Sequence, residues 1–197
     1  MKNLGFYYNQ SACSGCRTCQ IACNDRNRLE PGTLFRKVSS YETGSYPNAS
    51  IYHYSATCNH CKTPACIANC PTGALRKSPD DGTTQRDDEL CIGCGTCVKT
   101  CPYGVPALLP TGKAGSCDAC KPFRDAGKKP VCVDACLMRC LDFGDLDELA
   151  TRYGTTSENG ELLSELPLLP SSEETGPHTL INPKKAALEA DFREVML

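Results

Sequence analysis

The sequence predicts an α+β fold of short strands and short helices that is held together more by its cysteines than by a large apolar core. The chain has 197 residues, of which 40% are hydrophobic and none is tryptophan, and its mean hydropathy is −0.35. An apolar core built from so few large side chains is thin for a chain of this length. Cysteine, in contrast, occurs 17 times, and its spacing repeats along the chain.

Sixteen of the seventeen cysteines fall into four groups with similar internal spacing. Group one is Cys13, Cys16, Cys19 and Cys23; group two is Cys58, Cys61, Cys66 and Cys70; group three is Cys91, Cys94, Cys97 and Cys101; group four is Cys117, Cys120, Cys132 and Cys136. Group three reads C-x2-C-x2-C-x3-C-P, the run by which bacterial ferredoxins bind 4Fe–4S clusters and in which the fourth cysteine ligates the other cluster of a pair. Cys140 remains outside the groups.

Zinc and disulfides are the alternative uses of so much cysteine. Zinc sites also use C-x2-C pairs but gain nothing from a third and fourth cysteine in each group. A disulfide scaffold is typical of a short secreted chain with an even cysteine count, whereas this count is odd. His60, between Cys58 and Cys61, could replace a cysteine as a ligand, as histidine does in Rieske centres. Because the cysteine set is complete, we expect His60 instead to be a hydrogen-bond donor near the cluster or an exposed side chain. We therefore expect four 4Fe–4S clusters.

Charge and hydropathy exclude some partners. The formal net charge is −2 with every thiol counted as neutral, and four cysteine-ligated clusters bring it to about −10. Nucleic acid is therefore not an expected partner. No stretch approaches the ~20 apolar residues of a membrane span, and residues 1–12 hold no apolar run long enough for a secretory signal. We expect no direct membrane insertion.

Between the groups the pattern predicts short strands and loops. Residues 4–8 and 50–54 are rich in aromatic residues and are expected as strands. Residues 80–82 predict a turn that leads into a strand at 83–86. Residues 24–49 are expected to form an inserted loop, since Pro31-Gly32 and Gly44 mark turns.

The C-terminal quarter of the sequence has weaker signals. Residues 144–153 predict a helix. Residues 154–183 are rich in Ser, Glu, Pro and Gly without a period. Such a segment forms either a solvated linker or, as we expect here, a tail draped over a partner subunit. Residues 184–195 are expected to form a final amphipathic helix. The predicted domains are thus a cluster-binding domain over residues 1–153 and a partner-docking tail over residues 154–197.

The residues around the cysteines resemble one family. The runs are GFYYNQSACSGCRTCQIACND, TCNHCKTPACIANCPTGALRK, CIGCGTCVKTCPYGVP and SCDACKPFRDAGKKPVCVDAC. They resemble the four-cluster iron–sulfur subunits of membrane-associated molybdopterin oxidoreductases, most closely the dimethyl sulfoxide reductase type, over about residues 4–154. The sequence departs from that family at Leu137, where Pro is usual after the last ligand, and at Cys140, where a small apolar residue is commoner.

The resemblance implies two fused ferredoxin-like halves with inserted loops and an extended C-terminal tail, in which groups one and four form one half and groups two and three the other. In such a half, each cluster takes three cysteines from one group and the last cysteine of the other group. Four ligand sets are therefore expected: Cys13, Cys16, Cys19 and Cys136; Cys23, Cys117, Cys120 and Cys132; Cys58, Cys61, Cys66 and Cys101; Cys70, Cys91, Cys94 and Cys97. Cys140 is expected not to be a ligand. The basic residues beside ligands either stabilise reduced clusters or are surface charges: Arg17, Lys62, Lys99 and Lys121.

The function implied is electron transfer between a membrane quinol-oxidising subunit and a molybdopterin catalytic subunit, without a catalytic site in this polypeptide. The subunit would be peripheral and attached to the membrane through its partners, on either the periplasmic or the cytoplasmic face. Three alternatives stay open on the sequence. They are an electron-transfer subunit of a hydrogenase or formate dehydrogenase, a free-standing soluble polyferredoxin, and an enzyme that uses Cys140 as a nucleophile.

Overall fold

The computed structural model describes residues 2–154 and 161–196, and its elements are short. The strands are β1 Leu4–Asn9, β2 Lys37–Thr43, β3 Ser50–Ala56, β4 Leu75–Lys77, β5 Thr84–Arg86, β6 Ala107–Leu108, β7 Ala114–Gly115, β8 Leu141–Asp145, β9 Thr179–Asn182 and β10 Arg193–Val195. The helices are α1 Thr18–Asn27, α2 Ala65–Ala68, α3 Thr96–Thr100, α4 Lys121–Asp125, α5 Val131–Asp134, α6 Leu146–Tyr153 and α7 Ser172–Thr175. This mixed content confirms the predicted α+β class.

Two three-stranded sheets carry most of the strand residues. In the first sheet, β1 lies between β8, which is antiparallel to it, and β9, which is parallel. In the second, β2 lies between β3 and β10, and both pairings are antiparallel. Two small antiparallel pairs, β4 with β5 and β6 with β7, flank group three. The strands predicted at 4–8, 50–54 and 83–86 are confirmed.

The apolar side chains form two cores of different size. The larger core is built from residues of the two three-stranded sheets, among them Phe6, Tyr54 and Ile181, and it also contains buried cysteines of groups one and four. The smaller core lies around groups two and three and includes Leu75, Cys97 and Ala114. Within the described residues no helix is long and apolar enough to cross a membrane.

Two of the predicted segments differ from the structure. The expected inserted loop at 24–49 holds the end of α1 and the whole of β2. The prediction failed because β2 buries small polar residues such as Ser39 and Ser40 rather than apolar ones, so that its sequence lacks an obvious strand pattern. The helix at 144–153 begins two residues late, after Asp145 caps it by accepting a hydrogen bond from the Asp147 N–H at 3.1 Å.

The C-terminal segment folds against the rest of the same polypeptide. Residues 155–160 lie outside the described residues, but β9 pairs with β1, and Leu166 and Ile181 belong to the larger core. Residues 161–183 thus contain α7 and β9 and pack on the same polypeptide, while docking of the exposed tail residues to a partner stays a prediction. The final helix at 184–195 is wrong: residues Lys185–Leu188 form a 3₁₀ turn, and β10 pairs with β2. Ala187, fully buried, shows that packing overrides local helix propensity here.

Candidate metal centres

The four cysteine loops share one backbone feature. In each C-x2-C pair, the residue before the second cysteine has a left-handed conformation: φ is 69° at Gly15, 46° at His60, 70° at Gly93 and 52° at Ala119. This conformation is rare for residues other than glycine. In two of the loops, the backbone N–H of that residue is directed at the preceding thiol: His60 N lies 3.5 Å from Cys58 Sγ, and Ala119 N lies 3.3 Å from Cys117 Sγ. Such N–H groups stabilise anionic sulfur.

One cavity shows that thiols from two distant groups meet. A cavity is lined by three cysteines of group one, Cys13, Cys16 and Cys19, together with Cys136 of group four and the ungrouped Cys140. Gly15 and Tyr8 are among the other residues of the wall. The thiols around this space are sufficient in number for the four ligands of a cysteine-ligated 4Fe–4S cluster.

The remaining grouped cysteines also lie near members of another group. Helix α1 packs against α5, which brings group one to group four, and α2 packs against α3, which brings group two to group three. The Cys66 thiol interacts electrostatically with those of Cys101 and Cys61, and the Cys94 thiol with that of Cys70. The assignment of individual ligands stays a prediction.

Exposure separates two of the loops from the other two. All seventeen cysteines lie within the described residues, and Cys16 and Cys94 are the exposed ones. Cys120, which is also the second cysteine of its group, is only 5% exposed. Threonine hydroxyls contact the exposed thiols: Thr18 Oγ1 lies 3.4 Å from Cys16 Sγ, and Thr96 Oγ1 lies 3.3 Å from Cys94 Sγ. These hydrogen bonds lower the pKa of both thiols.

Burial acts in the opposite direction on the interior thiols. It raises the pKa of Cys58 to about 12 and that of Cys66 to about 11. Burial also raises the pKa of Cys23 to about 12, although the charge of Arg36 opposes the shift. A thiol must lose its proton to ligate a metal, so these interior sites require strong positive charge from the bound group.

His60 is not exposed, and its ring Nε2 has no hydrogen-bond partner within the described residues. That this ring nitrogen donates to a bound cluster stays a prediction. The side chain is fully buried, and its Nδ1 accepts a hydrogen bond from the Thr84 N–H at 3.0 Å. Burial lowers the pKa of His60 to about 3, so the ring is neutral. The expectation of an exposed side chain is wrong, and the contact of this residue with a thiol is made by its backbone N–H.

Basic residues outside the four cysteine groups hold the backbone of the loops, while the role of Arg17, Lys62, Lys99 and Lys121 stays a prediction. Lys121 forms an ion pair with Asp125 at 2.9 Å. Lys77 instead donates to the carbonyl oxygens of His60 at 2.7 Å and Cys61 at 2.8 Å, and Lys113 donates to that of Cys91 at 2.8 Å. Both lysines fix the backbone of a ligand loop, and both are distant in sequence from the loop they hold. No local signal identifies them.

Cys140 lies beside the first cavity. Its side chain is 3% exposed, and its Sγ is 3.4 Å from Cys136 Sγ. Cys140 also lines the cavity that Cys13, Cys16, Cys19 and Cys136 surround. That Cys140 is a packing residue and not a ligand stays a prediction.

Comparisons with known proteins agree with this arrangement. A family model described as a 4Fe–4S dicluster domain matches residues 49–146, and one described as a 4Fe–4S binding domain matches residues 10–26. Together the two ranges contain all four cysteine groups, so 4Fe–4S clusters are the cofactors of this protein.

Full-length relatives cover most of the sequence. This sequence is 38% identical over 197 residues to the B subunit of the anaerobic dimethyl sulfoxide reductase of Haemophilus influenzae. The match covers 95% of this sequence and 92% of that protein. It is 39% identical over 188 residues to the Escherichia coli protein of the same name, covering 91% and 88%. Protein NrfC of Escherichia coli is 34% identical over 166 residues, covering 83% and 72%.

Proposed function

This protein belongs to the family of the B subunits of anaerobic dimethyl sulfoxide reductases, and we propose that it is the electron-transfer subunit of a respiratory reductase of that type. It has no catalytic site of its own. Bound 4Fe–4S clusters supply one-electron oxidation and reduction. The polypeptide holds them in a row between a molybdopterin catalytic subunit and a membrane subunit that oxidises quinol.

The proposed row has four members, each completed by a cysteine from another group. The first cluster is held by Cys13, Cys16, Cys19 and Cys136; the second by Cys23, Cys117, Cys120 and Cys132; the third by Cys58, Cys61, Cys66 and Cys101; the fourth by Cys70, Cys91, Cys94 and Cys97. The first two belong to one ferredoxin-like half and the last two to the other. The packing of α1 on α5 and of α2 on α3 supports this division.

Contacts between the ligand sets support the order of the row. The thiol of Cys19 interacts with that of Cys132, which connects the first set to the second. The thiol of Cys117 interacts with that of Cys58, which connects the second set to the third. The two halves are also joined by the partly buried ion pair of Arg124 with Asp81 at 2.8 Å.

The observation that carries the proposal is the exposure of both ends of the row. Cys16 of the first set and Cys94 of the fourth set are exposed, and in each set a ligand has an exposed apolar residue next to it in the sequence. Leu137 is 71% exposed next to Cys136, while Ile92 is 67% exposed between Cys91 and Cys94. Apolar side chains around an accessible ligand suit protein contacts through which electrons enter and leave. A protein that only stored electrons would not need exposed cluster ligands at both ends of the row.

By the family resemblance, the first cluster faces the catalytic subunit and the fourth cluster faces the quinol-oxidising subunit. The protein is then attached to the membrane through that second partner. A tail interaction with either partner would use the exposed residues after α6.

Surface variants at the two ends test this orientation without touching a ligand. Ile92→Glu is expected to disrupt docking at the fourth cluster. Quinol-driven substrate reduction should then fall severalfold, while turnover with an artificial donor to the catalytic subunit is retained. Leu137→Glu is expected to disrupt docking at the first cluster, so that quinol still reduces the clusters of the membrane-bound complex but substrate turnover stops.

Tyr46→Glu is the matched control, because Tyr46 is 94% exposed, is not adjacent to any cysteine and lies outside the C-terminal tail. It should leave all of these activities unchanged. Iron content is measured for each variant to show that the clusters remain. Unimpaired quinol-driven turnover in both end variants would contradict the proposed path, and exchanged phenotypes would reverse the orientation.

A further inference from the structure

Arg36 is the largest fully buried side chain of the structure, and it is charged. It precedes β2 and is 1% exposed. Its Nη1 donates to the carbonyl oxygen of Ser55 at 3.2 Å and to Ser55 Oγ at 2.9 Å, and the guanidinium lies over the ring of Phe6, 4.8 Å from its centroid. Within residues 2–154 and 161–196, Nη2 has no hydrogen-bond partner, and no carboxylate forms an ion pair with this arginine.

Thiols from two proposed ligand sets surround this guanidinium. Burial alone would lower the pKa of Arg36, but interaction with the thiols of Cys132, Cys19, Cys117 and Cys23 reverses the shift and raises it. Cys19 belongs to the first set. The other three belong to the second set.

A series of hydrogen bonds also leads from Arg36 to one ligand. Ser55 Oγ lies 3.5 Å from Cys19 Sγ. Because arginine only donates, the Ser55 hydroxyl accepts from Nη1 and is free to donate its proton to sulfur. A ligating cysteine is a thiolate and cannot donate, so the direction of the bond is fixed once Cys19 ligates a metal.

The energetic difficulty is the charge itself. Arginine does not lose its proton in proteins, and a buried charge without a counter-charge is strongly unfavourable. The anions that act on this guanidinium are the cysteine thiolates of the bound clusters. The charge of Arg36 is therefore compensated only when these sites are loaded, and it becomes better compensated when a neighbouring cluster gains an electron.

We propose that Arg36 is the internal counter-charge of the first and second clusters, which it holds at higher reduction potentials than they would otherwise have. This inference rests on the ligand sets of the proposed function. The effect is largest on the second cluster, since three of its four ligands surround the guanidinium. The effect on the first cluster passes through Ser55 and Cys19. The third and fourth clusters lie in the other half and serve as internal references.

The test is a potentiometric titration of the holoprotein in its complex, followed by electron paramagnetic resonance. Signals are assigned to the first and second clusters with the ligand variants Cys16→Ser and Cys120→Ser. Arg36→Met removes the charge but keeps a long side chain. It should lower the midpoint potential of the second cluster most and of the first cluster less, and leave the third and fourth unchanged. Arg36→Lys should retain most of the wild-type potential.

Two further variants separate charge from structure. Ser55→Ala should lower the potential of the first cluster and leave the second near its wild-type value. Arg26→Gln is the matched control, because Arg26 lies near Cys117 and Cys120 but already pairs with Asp118 at 2.8 Å, and it should shift the second cluster less than Arg36→Met.

The iron content of the wild-type protein is measured first. Too little iron for four clusters would contradict the ligand sets of the proposed function, which separates that failure from a failure of the role of Arg36. A full set of clusters in Arg36→Met at wild-type potentials overturns the inference. If Arg36→Met fails to take up iron while Arg36→Lys does, the charge is required for loading, which supports it. Equal loss of iron in both variants shows a packing role and overturns it.

Discussion

The loops at the two ends of the proposed cluster row differ from the interior loops in the residue that turns the backbone. Gly15 and Gly93 hold this left-handed position at the ends, and His60 and Ala119 hold it in the interior. A Cβ at Gly93 would overlap the carbonyl oxygen of Gly112, and one at Gly15 would lie 2.6 Å from the His53 ring. The end loops are thus packed directly against neighbouring segments, whereas the interior loops bury a side chain.

The same division appears in the surroundings of the thiols. The end ligands Cys16 and Cys94 are exposed and contact threonine hydroxyls. The interior is instead crossed by charge, from the buried Arg36 and from the partly buried pair of Arg124 with Asp81. Solvent exposure and hydrogen bonds to sulfur both set cluster potentials. The comparison teaches that the end clusters are adjusted by solvent exposure and threonine hydroxyls, and the interior clusters by fixed charge and by the backbone N–H groups of His60 and Ala119.

The largest expected effect comes from removing a ligand that crosses between loops. If Cys70 ligates the fourth cluster, Cys70→Ser should destroy or strongly perturb that end cluster and leave the interior third cluster nearly intact, although Cys70 follows Cys66 closely in sequence. Cys101→Ser should do the reverse. Paramagnetic resonance of the reduced protein measures both signals. Loss of the third cluster in Cys70→Ser would show that each loop keeps its own fourth cysteine.

Glycine substitutions test why the end loops need glycine. Gly93→Ala should destabilise the holoprotein by more than the about 1–2 kcal/mol that a left-handed alanine costs, because its methyl group would also overlap Gly112. Gly104→Ala is the matched control: φ is 62° there, but nothing lies within 4 Å of the added Cβ. The measurement is the denaturant concentration at which cluster absorbance is lost. Equal shifts in the two variants would remove close packing as the reason.

A smaller effect is expected from a single hydrogen bond at an end. Thr96→Val removes a hydroxyl that donates to the Cys94 thiolate, so the oxidised cluster is favoured. A bond worth about 1 kcal/mol corresponds to a lowering of about 40 mV in the potential of the fourth cluster. Thr100→Val is the control, since Thr100 Oγ1 donates to the Thr96 carbonyl oxygen and not to sulfur. If a redox titration finds the same potential of the fourth cluster in both variants, the hydrogen bond from Thr96 to Cys94 does not set that potential.

The smallest effect is expected at Cys140. As a buried side chain outside the ligand sets, it should tolerate replacement by alanine with iron content and visible spectrum unchanged and with a loss of about 1 kcal/mol in stability. Elemental analysis of Cys140→Ala checks this. A missing cluster would show that Cys140 takes the place of one of the sixteen assigned ligands, and its neighbour Cys136 would be the first to reconsider.

The sequence predicts the parts of this molecule that are encoded locally. The ligand groups can be predicted because three cysteines must lie within one short loop. Strands β1 and β3 can be predicted from their aromatic residues. β9 was missed because its four residues become a strand only by pairing with β1, some 170 residues earlier. Arg36, Lys77 and Lys113 were missed for the same reason, since each acts on cysteines that tertiary folding brings to it.

The most direct test of the row is iron anomalous diffraction from crystals of the holoprotein in its complex. The account predicts four iron clusters in a single row, with the end clusters ligated by Cys16 and Cys94 and with Cys70 and Cys91 on the same cluster. Fewer than four clusters, an end of the row away from Cys16 or Cys94, or Cys70 bound together with Cys58 would contradict it.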